Sequence, residues 1–170
     1  MMADLHDNYL DWLRDAHAME EQAETMLKGM AKRLEHYPAL EARIKQHIDE
    51  TLEQQRLVES VIKRYDSSSS TFKDLAGKVG AMTQAMGGMF ASDEVVKGGI
   101  AGYTFENFEI ASYTALIGAA QAVGDLEGQR IFEQILAQEK AMASWLLEHL
   151  PEITQQFLMR SKAPHTEAKR

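Results

Sequence analysis

The stretch Tyr9-Leu10-Asp11-Trp12-Leu13-Arg14-Asp15-Ala16-His17-Ala18-Met19-Glu20-Glu21-Gln22-Ala23-Glu24-Thr25-Met26-Leu27 decides the fold. Within it Tyr9, Leu13, Ala16, Glu20, Ala23 and Leu27 recur at alternating steps of three and four, and Met30 and Leu34 continue the series. Residues so spaced share one face of an α-helix. Glu20 is the exception in kind. A carboxylate set into an apolar stripe is costly unless something pairs with it.

Working outward, the same pattern returns three times. The first helix is expected over residues 5–34, closed by His36-Tyr37-Pro38, because the residue before a proline disfavours helix. A second is expected over 39–65, apolar at Leu40, Ile44, Leu57, Val58, Val61 and Ile62 but polar on the same side at His47, Glu50, Thr51 and Gln54. Asp66 to Thr71 reads as a loop, and Phe72 to Phe90, rich in Met and Gly, as a short helical insert with Val79, Met82, Met86 and Met89 in its packing. Ser92-Asp93-Glu94 opens a third long helix ending near Val123, with a seam of Ile100, Tyr103, Glu106, Glu109 or Ile110, Tyr113 and Ile117. The fourth is expected over 126–150, stopping at Pro151, with Phe132, Ile135, Glu139, Met142 and Leu146 inside. A short C-terminal helix over 152–159 follows, then a polar tail from Ser161 that frays. The expectation is an all-α, up-down four-helix bundle over residues 1–160, with a short helical insert between helices 2 and 3.

Composition narrows the function. The chain has 170 residues and no cysteine, which excludes a disulfide scaffold, thiolate metal sites and a Cys nucleophile. Its 18 Lys+Arg against 26 Asp+Glu leave a formal net charge of −8, the wrong sign for a phosphate-binding surface, so no nucleic-acid partner is expected. No apolar run reaches the ~18–20 residues that a membrane span needs. Residues 1–7 carry no basic segment followed by an apolar one, so a cytoplasmic, soluble protein is expected.

The charged seam residues carry the chemistry. Each long helix has one, at Glu20, Glu50, Glu109 and Glu139, and Glu106 adds a second to helix 3 one turn earlier. The intervals 20 to 50 and 109 to 139 are equal, which suggests a duplicated helical hairpin. If the four seams meet at one level, several like charges share a poorly solvated space, at about 4 kcal/mol per pair 4 Å apart for an effective dielectric near 20. Several such pairs would consume the ~5–15 kcal/mol by which a domain is stable. Arg14, Lys28 and Lys140 fall off the seam and Arg43 lies two turns below Glu50, so no Lys or Arg is expected at that level. Either the acids take up protons or divalent cations sit among them, and an oxygen-rich donor set suits hard divalent ions. His47, one turn before Glu50, is a ligand or a hydrogen-bonding partner of one. His17 is read as a packing residue, Glu53 as facing solvent, and Tyr103 and Tyr113 as packing residues able to hydrogen-bond the helix 3 acids.

The run 12–20 just quoted, His47-Ile48-Asp49-Glu50-Thr51, Phe105-Glu106-Asn107-Phe108-Glu109-Ile110-Ala111 and Glu139-Lys140 together resemble the YciE/YciF stress-response family of ferritin-like proteins, over nearly the whole chain. The resemblance implies a ferritin-like bundle, a dinuclear metal centre, a homodimer and a role in stress. Carried over by position, the metal ligands would be Glu20, Glu50, Glu106, Glu109 and Glu139, with His47 beside them. Two divalent ions are implied, iron first, with manganese or zinc as alternatives. Such a centre would suit oxygen, peroxide or Fe(II) redox chemistry. A non-catalytic structural or protein-binding module, in which metal only stabilises, is the alternative. One departure stands out. Ferritin-like oxidases usually carry Glu-x-x-His on two helices. Here the order is His47-x-x-Glu50, and Met142 stands where helix 4 would place its histidine.

Overall fold

The computed structural model describes residues 4–65 and 94–163. Four helices account for nearly all of them: α1 (Leu5–Ala31), α2 (Pro38–Tyr65), α3 (Val95–Val123) and α4 (Leu126–Lys162), with no strand among the described residues. The expected loop after Tyr65, the Met-rich insert, Ser92, Asp93 and the last seven residues of the tail lie outside them.

Pro38 occupies the first turn of α2, where its missing N–H has no intrahelical partner to lose. Gly124, left-handed at φ 77°, ends α3, and Asp125 caps α4 by accepting from the Gly128 N–H at 2.9 Å. α3 packs most extensively on α4, α1 on α2 and then on α3, whereas α2 meets α4 along a thin seam. Each hairpin is antiparallel. The Tyr9 hydroxyl and the Arg64 guanidinium both reach Asp125, so the start of α1, the end of α2 and the α3–α4 turn share one end of the bundle. Leu34, Tyr37, Leu40, Val95, Leu146 and Ile153 form the core of the other end. α2 therefore ends at the same end of the bundle as α3, and the two run in the same direction. The up-down order thus holds within each hairpin but not between α2 and α3.

Two expectations change. Helix 4 does not stop at Pro151; α4 continues unbroken to Lys162, so the separate short C-terminal helix is part of it. Pro151 is exposed, and so is Leu147, whose carbonyl loses its hydrogen bond and can be hydrated instead. Beyond the proline, buried Ile153 and partly buried Phe157 keep the helix docked. The α3 seam also turns. Gly99, Gly102, Phe105, Glu106, Glu109, Tyr113, Leu116 and Ala120 are buried, whereas Ile100 is 50% exposed and Tyr103, Ile110 and Ile117 are intermediate. A Cβ at Gly99 would stand 3.3 Å from a Leu150 methyl and one at Gly102 3.5 Å from a Leu146 methyl, so α3 approaches α4 through its glycines.

The Asp125 network makes a counterintuitive prediction. Alanine normally stabilises a helix over glycine by about 1 kcal/mol. A Cβ at Gly128 would lie 2.3 Å from Asp125 Oδ2 and 2.6 Å from the Tyr9 hydroxyl, both buried. Gly128→Ala is expected to destabilise by about 1–3 kcal/mol in urea unfolding. A raised midpoint would show that this network is loose.

Candidate metal centre

Halfway along the bundle the apolar core is interrupted by a polar layer. Glu20 on α1, His47, Thr51 and Gln54 on α2, Glu106 and Glu109 on α3 and Glu139 on α4 are all at most 1% exposed. Their placement follows from the helices themselves: the apolar contacts of Ala16 and Ala23, of Phe105 and Leu116, and of Ile135 and Met142 fix the rotation of each helix, which turns the acid between them inward.

His47, Glu106, Glu109 and Glu139 converge most closely, each offering a ligand atom within 4.8 Å of the others, and could hold a metal ion. His47 Nε2 lies 3.3 Å from Glu106 Oε1 and 3.3 Å from Glu139 Oε2. Its Nδ1 lies 2.7 Å from Glu50 Oε2. Glu20 stands beside this group, not within it, and accepts a short hydrogen bond from the Tyr113 hydroxyl through Oε1. Glu50 sits at the layer's edge, with its side chain 19% exposed, bonded by Gln46 at 2.9 Å and paired with Arg43 at 3.4 Å. The expected absence of a basic partner fails here. Seven residues bring Arg43 round to nearly the same side of α2 as Glu50, and two long side chains close the two-turn gap. The other four carboxylates meet no Lys or Arg ion pair among the described residues.

Six carboxylate oxygens remain buried without a hydrogen bond: Glu20 Oε2, Glu106 Oε2 and both oxygens of Glu109 and of Glu139. His47 Nε2 is likewise unbonded, its two carboxylate neighbours lying off the hydrogen-bond direction. Unbonded acceptors facing one another, with one imidazole among them, are the donor set of a hard-cation site. At 4.8 Å each ionised pair costs about 3–4 kcal/mol for an effective dielectric near 20. Burial raises Glu20 and Glu109 well above the usual carboxylate range, and the Glu139 charge adds to this. Burial likewise takes Glu106 up to about 8, although His47 partly opposes it. Burial disfavours the His47 charge, but Glu106, Glu139 and Glu50 outweigh it and raise the imidazole to about 12. The surrounding acids thus favour the protonated ring.

Other expectations settle individually. Glu53 is exposed and pairs with Arg56. His17 is buried, 3.9 Å from Glu21, and burial lowers its pKa. Tyr113 packs in the core as expected, and its hydroxyl donates to an α1 acid, Glu20. Gln138, which bonds Gln54 across the α2–α4 seam at 2.9 Å, gave no sequence signal, since a lone glutamine on a helix reads as surface.

These shifts fix the pH dependence of the metal-free fold. Carboxyls raised above their unfolded value near 4.3 oppose folding once ionised, and a raised His47 contributes stability that is lost as pH climbs from about 6.5 toward 12. Both trends favour the fold at pH 5 over pH 8; the lowered His17 opposes them below about pH 6.5, and the lowered Glu24, Glu50 and Asp125 oppose them at more acid pH. Without metal the thermal midpoint should be higher at pH 5 by roughly 5–10 °C. Glu109→Gln should flatten the difference; a midpoint unchanged between the two pH values would contradict this electrostatic reading.

Known structures share the architecture. A protein of Xanthomonas campestris pv. campestris is 38% identical, covers 95% of this chain and 100% of its own, and superposes with a TM-score of 0.77. The Escherichia coli stress protein YciF is 22% identical, over 88% of this chain and 96% of its own, with a TM-score of 0.68. YcfI of Rhodopseudomonas palustris, whose name includes the words "structural protein", is also 22% identical, over 85% and 93%, with a TM-score of 0.65. The two more distant likenesses establish the fold, and together with the family match they agree with the YciE/YciF-like resemblance. Residues 4–159 match the model described as "Domain of unknown function (DUF892)", and the chain belongs to that family.

Proposed function

We propose that this protein binds divalent metal in the centre of its bundle and serves in stress protection through that centre. The observation that supports this reading is the set of buried carboxylate oxygens with no hydrogen bond around His47. Glu106, Glu109, Glu139 and His47 would hold the ion, with Glu20 and Glu50 contributing at its flanks. Iron is the first candidate, then manganese or zinc, and the full site would take two ions. Iron or manganese so held would supply redox chemistry toward oxygen, peroxide or Fe(II). The chain's part is to exclude water with the apolar layers above and below, to keep the His47 ring oriented through Glu50, and to release the His47 Nε2 proton when metal takes its place.

The alternative reading makes the metal a staple in a non-catalytic bundle. The words "structural protein" in the YcfI name favour it, and the stress-protein neighbour YciF fits both readings. We place the protein in the cytoplasm; among the described residues no helix is long and apolar enough to cross a membrane. A homodimer is also proposed. From Gly98 to Val123 the charged residues of α3 are the buried Glu106 and Glu109, so its outward side, with Ile100 50% and Phe108 42% exposed, is an uncharged surface that a second copy would cover.

Two outcomes are expected. Fe(II) added in air should be consumed with oxygen uptake, and Glu139→Ala should slow this at least tenfold; uptake no faster than in buffer, with metal still raising the thermal midpoint, would favour the staple. Phe108→Lys should convert the dimer to monomer in light scattering, and an unchanged mass would move the interface elsewhere.

A further inference from the structure

The acid layer is not walled equally on all sides. Toward α1, the Gln55 amide ties α2 to the Glu20 carbonyl at 3.2 Å and to the Glu24 carboxylate at 2.8 Å, and the Tyr113 hydroxyl ties α3 to Glu20. α3 and α4 share the most extensive packing of the bundle. The α2–α4 side is the thin one, and beside the layer the two helices are tied there by a hydrogen bond of 2.9 Å from Gln54 Nε2 to Gln138 Oε1.

That side is also polar. Arg43, Glu50 and Gln54 follow one another at steps of seven and four residues, so they share one face of α2, the face that Gln54 turns to α4. Gln54 is fully buried, yet its Oε1 takes no hydrogen bond, and Gln138 is half-buried. Two leucines would close the same seam without leaving an amide oxygen unsatisfied. Glu50 is the carboxylate of the layer that reaches solvent. Its Oε2 meets His47 Nδ1 at 2.7 Å on the inside and the Arg43 guanidinium at 3.4 Å at the rim.

A divalent cation bound for the layer must shed its water, and an apolar wall offers nothing in exchange. Carboxylate and amide oxygens replace that water one ligand at a time. The Gln54–Gln138 bond is neutral, and water offers each amide an equivalent partner, so opening it costs little. We propose that divalent cations enter and leave the layer through the α2–α4 seam, with Glu50 as the carboxylate that first takes the ion, Arg43 as the guanidinium displaced from it, and the Gln54–Gln138 pair as the latch alongside. This rests on the metal-binding reading above and adds the route to it.

The experiment follows Co(II) uptake by the metal-free protein in stopped-flow absorbance, its release to excess EDTA, and its Kd by equilibrium titration. Side chains that govern passage alone scale entry and exit by one factor and leave Kd unchanged, because the path does not alter the end states. Gln54→Ala combined with Gln138→Ala should speed uptake and release alike by about tenfold, with Kd within about twofold of the parent. Arg43→Gln, a rim substitution that tests the route even where the double variant fails to fold, should speed uptake by about fivefold by removing a positive charge from the mouth. Gln55→Ala loosens the α1–α2 side instead and should leave both rates unchanged. Unaltered rates in the seam variants, equal acceleration by Gln55→Ala, or a Kd that moves with one rate alone overturns the proposal while leaving metal binding intact. A parent that takes up no Co(II) overturns both.

Discussion

Four glutamates and a histidine are buried where a helical bundle would ordinarily place leucines, and among the described residues the arginine ion pair of this layer goes to a fifth glutamate, Glu50, at its rim. Everything distinctive about this protein follows from that imbalance. The layers on either side are well packed, with Leu13, Ile44, Val58, Phe105, Phe132, Ile135 and Met142 fully excluded from solvent, so the acids cannot relax outward without dismantling the core. Several carboxylate pairs at this range oppose folding by an amount comparable to the stability of a whole domain. Protonation of the raised acids relieves them.

The helical framework makes this arrangement affordable. Each hairpin carries one of the equally spaced glutamate pairs, 20 with 50 and 109 with 139, and the two hairpins face each other through α1 on α3 and α2 on α4. Glu50 departs from the symmetry. It leans to the rim, is neutralised by Arg43 and serves His47 from outside, and the α2 seam inside is filled by His47, Thr51 and Gln54. The centre is therefore lopsided, with α3 and α4 supplying three of the converging carboxylates and α2 the imidazole.

Much of this was legible in the residues. Glu20 and Glu139 stand in clean apolar stripes whose three-and-four spacing admits one rotation of the helix, and both are buried as that spacing requires. α3 was harder to read, because it is apolar nearly all round; periodicity carries no direction there, and the close glycine contacts with Leu146 and Leu150 choose the face. Pro151 reads as a stop in sequence, yet its solvent-facing position lets α4 run on. The reach of Arg43 to Glu50 and of Tyr113 to Glu20 depends on side-chain paths across two turns or between helices, which spacing along one helix cannot reveal.

Anomalous diffraction from crystals of protein grown with iron or manganese tests the central claim most directly. Strong peaks within bonding distance of His47, Glu106, Glu109 and Glu139 are the predicted result. An unperturbed cluster without a peak, its carboxyl groups hydrogen-bonded to one another around the His47 ring, would contradict it.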